Sequence, residues 1–127
     1  MTNTHINVGG HKITTNKVGE VHNITSSDLG ANMSFVSGGR GTWCVTNGIC
    51  FICLYGVQSS TSGTQAMLKN VPTPKIQCVM PMGNGGSAII TSFNCNAGAT
   101  TVMCAINANS PFYGTVCYPV ADDWVES

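Results

Sequence analysis

Charge is scarce in this sequence. Of its 127 residues, 8% are Asp, Glu, Lys or Arg, five basic against five acidic, so the formal net charge is zero. Without clustered Lys and Arg a chain cannot neutralise a run of phosphates, which excludes nucleic acid as a partner. The same lack excludes an anionic membrane surface, an acidic tail and a charged helical bundle. Strong helix formers are few; there are three leucines. No run approaches the roughly 20 apolar residues of a membrane span, so no membrane insertion is expected. The first residues, MTNTHINVGGHK, lack the apolar segment of a secretory signal. The expectation is a chain made in a reducing cytoplasm, where the sequons at Asn23 and Asn32 carry no sugar.

Catalytic signatures are missing as well. The acidic residues Glu20, Asp28, Asp122, Asp123 and Glu126 all fall outside the expected core strands, which leaves a paired-carboxylate mechanism little to work with. There is no GxSxG elbow, P-loop, HExxH or dinucleotide fingerprint. The glycine clusters at 38–41 and 83–86 precede no helical stretch and read as turns, not phosphate cradles. No catalytic residue, cofactor or metal site is expected, and the chain is not expected to be an enzyme.

What is present is uncharged. The sequence holds 14 Thr, 12 Asn, 11 Ser and 15 Gly, with a hydrophobic fraction of 43%. Few helix formers, many turn residues and many Thr and Val make an all-β chain. The hydrophobic fraction is too high for disorder, and the length suits one domain.

Residues 1–28 hold all three histidines (His5, His11, His22) and no strong apolar stripe. They read as an N-terminal connector or a first edge strand, with residues 29–127 forming the main domain. The histidines read as exposed titrating groups. Strand signals begin at Met33. The clearest is TWCVT-NG-ICFIC, where Asn47-Gly48 is the favoured two-residue hairpin turn. That turn pairs Thr46 with Ile49, Cys44 with Phe51 and Trp43 with Ile52. One face then carries Thr42, Cys44, Thr46, Ile49, Phe51 and Cys53, the other Trp43, Val45, Cys50, Ile52 and Leu54. Both are largely apolar, whereas a sheet with one wet face alternates apolar and polar. The hairpin is therefore expected to be covered on both sides, one of them by a neighbouring subunit.

Residues 58–65 read as a loop, and Pro72 and Pro74 as a sheet edge or crossover. In KIQCVMPM, Ile76, Cys78, Met80 and Met82 fall on one side. From Ile76 to Val120 the turns recur about every ten residues, which predicts an antiparallel meander in a sandwich or barrel. Six of the seven cysteines lie in apolar strand-like runs and Cys95 in a turn, so they read as small buried hydrophobes. In the CFIC run, Cys50 and Cys53 sit three apart in a strand and point to opposite faces, so they cannot grip one metal.

Binding fits this composition better than catalysis. Asn, Ser and Thr offer neutral donors and acceptors, and Phe112, Tyr113 and Trp124 offer ring faces, the groups that hold sugars. The turn before the last strand makes Asn107, Asn109 and Tyr113 the candidate ligand-binding residues. Phe112 and Tyr113 open a strand, so one of the two should point inward. Trp43, mid-strand, reads as core or interface.

The hairpin GTWCVTNGICFICLYG, the Leu68-x-x-Val71-Pro72-x-Pro74 step, the strand from Ala88 to Thr91 and the closing YGTVCYPV (Tyr113 to Val120) form a pattern across roughly residues 33–121. It resembles the C-terminal receptor-binding head domains of phage and prophage tail-fibre or baseplate proteins. The resemblance implies a jelly-roll-like antiparallel β-sandwich, homotrimeric at a fibre tip. It implies a location at the virion tail tip after synthesis in the bacterial cytoplasm, with other virion tail proteins joined on the N-terminal side. The implied task is non-catalytic adhesion to a host-surface saccharide. Two other readings stay open: a purely structural virion domain without ligand, and a non-viral cytosolic jelly-roll domain.

Overall fold

A computed structural model describes residues 5–8, 11–14, 20–83, 89–95 and 102–125, with side chains over 20–83 and 103–125. The described strands are β1 (His5–Val8), β2 (His11–Thr14), β3 (His22–Ile24), β4 (Met33–Thr46), β5 (Ile49–Ser59), β6 (Gly63–Leu68), β7 (Cys78–Gly83), β8 (Ile89–Cys95), β9 (Val102–Ile106) and β10 (Phe112–Pro119). The one helical piece among the described residues is a 3-10 turn at Ser26–Asp28. β1 and β2 form an antiparallel hairpin of their own. The other eight strands make one antiparallel sheet in the order β3-β4-β5-β10-β7-β8-β9-β6.

That sheet folds over into an all-β antiparallel sandwich. Two junctions along it carry one register pair each, Tyr113↔Gly83 between β10 and β7 and Asn94↔Met103 between β8 and β9. β6, at the far end of the strand order, then meets the segment that leads into β4. Gly30 N–H donates to the Met67 carbonyl (2.9 Å), and Lys69 N–H to the Asp28 carbonyl (2.7 Å). Between the layers lies one apolar core. Ile24, Ile52, Leu54, Val116 and Tyr118 from one side meet Met67, Leu68, Met82, Cys104 and Ile106 from the other.

The β4–β5 hairpin forms where local chemistry favours it. Asn47 and Gly48 both have positive φ (52° and 77°), the backbone that a two-residue turn needs to match strand twist. The register is the expected one, Thr46↔Ile49 through Arg40↔Tyr55. Beyond Arg40 the strands part. Residues 36–39 of β4 bulge against Gly56 alone, and pairing resumes at Phe35↔Val57. Gly56 is required there, since its φ is 72° and an added Cβ would lie 2.6 Å from Val36 Cγ2. Alternation along β5 also changes phase here: Cys50, Ile52 and Leu54 point inward, then Val57 and Ser59 do.

Several expectations need correction. β5 runs on to Ser59 and β6 starts at Gly63, so the loop at 58–65 shrinks to three residues. The segment from Ile76 to Val120 is not a simple meander. β7, β8 and β9 pair in sequence, but β9 takes β6 as its other neighbour, and β10 crosses to lie between β5 and β7. Ile76 is 56% exposed because the chain bends at 75–76 before β7 begins; Cys78, Met80 and Met82 do face the core. Buried Pro72 and Pro74 lie on the crossover, where Pro74 bridges Val120. Cys95 is the last residue of β8, not part of a turn. Among the cysteines, Cys50 and Cys104 are buried, while Cys53 and Cys117 are exposed and Cys44 and Cys78 half-buried. Of the turn expected at 94–98, Asn94 also belongs to β8, and 96–98, like the turn expected at 84–86, lie outside the described residues.

On the N-terminal side of residue 28, β3 is the edge strand of the main sheet and buries Ile24 in its core. Between β3 and β4, Asp28 caps the short helical turn, its carboxylate accepting from Thr25 N–H at 2.9 Å and from Thr25 Oγ1 at 3.1 Å.

Candidate functional site

The outer face of β4, β5 and β10 is built in rows. Register places Arg40, Tyr55 and Tyr113 side by side across the three strands, then Thr42, Cys53 and Thr115, then Cys44, Phe51 and Cys117. Rows on one face are roughly 7 Å apart along a strand. The middle row is short. It leaves a depression of about 360 Å³ lined by Arg40, Thr42, Cys53, Tyr55, Tyr113 and Thr115, with the backbone of Gly41, Leu54 and Gly114 as floor.

The floor is thin for a reason. Gly41 and Gly114 flank Leu54 on the inner side of the sheet. A Cβ at Gly41 would lie 2.9 Å from Leu54 Cδ2 and 3.2 Å from Ile24 Cδ1, and one at Gly114 would lie 3.1 Å from Met82 Cε. The two glycines let core side chains rise against the sheet beneath the depression.

At its rim Tyr55 and Tyr113 meet edge to face, ring centroids 4.7 Å apart and planes at 71°, the arrangement favoured by the ring quadrupole. A bulge between Phe112 and Tyr113 sets this pairing, with Phe112 opposite Val57 and Tyr113 opposite Tyr55. Phe112 is fully buried and Tyr113 faces out, the split expected of the pair. Tyr55 is 55% exposed. Thr115 Oγ1 donates to the Cys53 sulfur at 3.5 Å. Arg40 is the one charged residue of the lining.

Below the sheet, Cys50 is sealed from water. Burial pushes its thiol up to about 11, an effect opposed by a hydrogen bond with Tyr118 and reinforced by nearby Cys44 and Cys117. Such a thiol is a core group and not a nucleophile at neutral pH.

The other sequence-derived candidates lie elsewhere. Asn107 and Asn109 are exposed on the β9–β10 turn and do not line the depression. Asn109, at φ 58°, donates its backbone N–H to the Ser59 carbonyl at 2.8 Å. Trp124 is half-buried, its ring 6.3 Å from Trp43 in an edge contact, while His22 stacks on Trp43 at 4.0 Å. Trp43 packs against the core. The His5 and His11 side chains lie outside the described residues. Among the described residues no group of three His, Cys, Asp or Glu is placed to hold a metal ion.

Sequence reasoning missed Arg40 and Tyr55. Both were within reach: carrying the Asn47-Gly48 register one same-face step beyond Thr42 and Cys53 brings Arg40 opposite Tyr55. Their alignment with Tyr113 depends on β5–β10 pairing, which no local signal encodes.

No family model matches the chain, and no curated protein or solved structure matches it either.

Proposed function

We propose that the chain is a non-catalytic receptor-binding head, homotrimeric and carried at a phage tail tip, and that it holds a host-surface saccharide in the depression on β4, β5 and β10. The Tyr55–Tyr113 pair beside the Thr42 and Thr115 hydroxyls carries this reading. A pyranose presents an apolar face and a rim of hydroxyls, and this surface offers rings for the one and neutral donors and acceptors for the other. The depression is shallow and sits on paired strands instead of loops, which suits a repeated surface polymer held by many weak sites. Three copies on one axis would multiply such weak sites by effective concentration. A glycan array tests the reading, with light scattering for the mass. Defined saccharide hits and a mass near three times 13.2 kDa support it; an empty array contradicts it.

A second reading has its own observation. Phe51 is 40% exposed between Cys44 and Cys117 on the same face, and apolar exposure of this kind suits a contact between subunits. Under that reading the chain is a structural virion domain, and the outer face is closed off in the assembly.

A further inference from the structure

Arg40 gives the proposed site a chemical preference. Its guanidinium makes no hydrogen bond or ion pair with any of the described residues, yet its backbone is fixed in β4, opposite Tyr55. The described carboxylates are committed or outside the lining: Asp28 caps the turn at Thr25, Asp122 lies 3.0 Å from Lys75 Nζ, and neither Glu20 nor Asp123 lines the depression. The site therefore holds one unneutralised cation, four hydroxyls from Tyr55, Tyr113, Thr42 and Thr115, and no acid.

We infer that the saccharide unit seated there carries an oxyanion, a carboxylate or a phosphate, which Arg40 grips while the sugar ring lies against Tyr55 and Tyr113. This rests on the saccharide-binding reading above and narrows it. A guanidinium presents a planar fork of donors that matches a carboxylate or phosphate with two parallel hydrogen bonds. A neutral sugar would leave that fork facing water. An acidic sugar uses it, and the flanking phenols and threonines then hydrogen-bond the remaining oxygens. A ligand bearing an ammonium group is disfavoured, since the depression holds no opposite charge for it.

The test is binding of the full chain to matched pairs of oligosaccharides. One arm sets hexuronic acid oligomers against the same oligomers with carboxyls reduced. The other sets phosphorylated sugars against their dephosphorylated forms. The expected result is tighter binding of the acidic member in one arm, and that arm identifies the oxyanion. Arg40→Gln should weaken it by roughly tenfold to a hundredfold with the unfolding temperature unchanged. Arg40→Lys, which keeps the charge and loses the fork, should fall between. Raising salt should weaken the wild type and leave Arg40→Gln nearly flat. Equal binding of acidic and neutral members, or acidic binding indifferent to Arg40→Gln, overturns the inference and leaves the saccharide reading standing. No binding to any member overturns both.

Discussion

Tyr118 Oη donates a buried 2.7 Å hydrogen bond to the carbonyl of Pro72, 46 residues earlier in the chain. The bond ties β10 to the crossover that carries the chain from β6 toward β7. Proline cannot donate from its own nitrogen, and its carbonyl, buried here, needs a partner. Tyr118→Phe should cost about 1–2 kcal/mol. Urea denaturation checks this, and an unchanged midpoint would mean the crossover is held by other contacts.

Gly56 is the hinge of the long hairpin. Alanine there meets both a left-handed backbone and a methyl of Val36. Gly56→Ala should destabilise by about 1–3 kcal/mol, measured by the same denaturation. It should also disturb the Tyr55–Tyr113 contact next to it, visible in near-ultraviolet circular dichroism.

Ile52 is fully buried at the centre of β5. Ile52→Asp should abolish folding, because an unpaired carboxylate in that core costs more than about 4 kcal/mol. Trp43→Ala should lose about 3 kcal/mol by removing the ring that His22 and Trp124 pack against. A folded Ile52→Asp protein would contradict the assigned core face.

Stability should fall in alkali through Cys50. Its thiol ordinarily titrates at 9.0, and in the folded protein near 11. Between those values the folded state keeps a proton that the unfolded state has lost, so unfolding is favoured as pH rises. The contribution is intact below pH 9 and is lost progressively up to about pH 11, at most ~2–3 kcal/mol. Cys50→Val should show a shallower decline than wild type between pH 8.5 and 10.5 in reducing buffer. Parallel declines would contradict the sealed thiol.

Much of this was legible in the sequence. The all-β class follows from composition, and the hairpin follows from one dipeptide, Asn47-Gly48, whose register fixes every inner and outer residue from Arg40 to Tyr55. That one of Phe112 and Tyr113 turns inward follows from their adjacency at a strand start; that it is Phe112 is decided by the packing. What local patterns do not encode is partner choice between distant strands. β10 pairs with β5 across some sixty residues, and that pairing, with its one-residue bulge, is what brings Tyr113 to Tyr55 and leaves Asn107 and Asn109 outside the depression. The exposed cysteines escaped for a related reason: a short apolar residue in a strand looks the same on either face, and only the second layer decides which face is dry.

Cys53 reports on the site directly. It is exposed within the depression, whereas Cys117 is exposed outside it and Cys50 is buried. Iodoacetamide labelling read by peptide mass spectrometry should modify Cys53 and Cys117 in the native protein and spare Cys50 until denaturation. Bound saccharide should slow Cys53 and leave Cys117 unchanged; equal protection of both would move the ligand off the depression.

The most direct measurement is calorimetric titration of the strongest array saccharide into wild type, Tyr55→Ala and Tyr113→Ala, with Asn109→Ala as a variant outside the depression. Binding should weaken at least about tenfold in both tyrosine variants, the loss expected when a stacked ring is removed, while Asn109→Ala binds as wild type. Undiminished affinity in folded Tyr55→Ala and Tyr113→Ala would contradict the assignment of this face as the saccharide site.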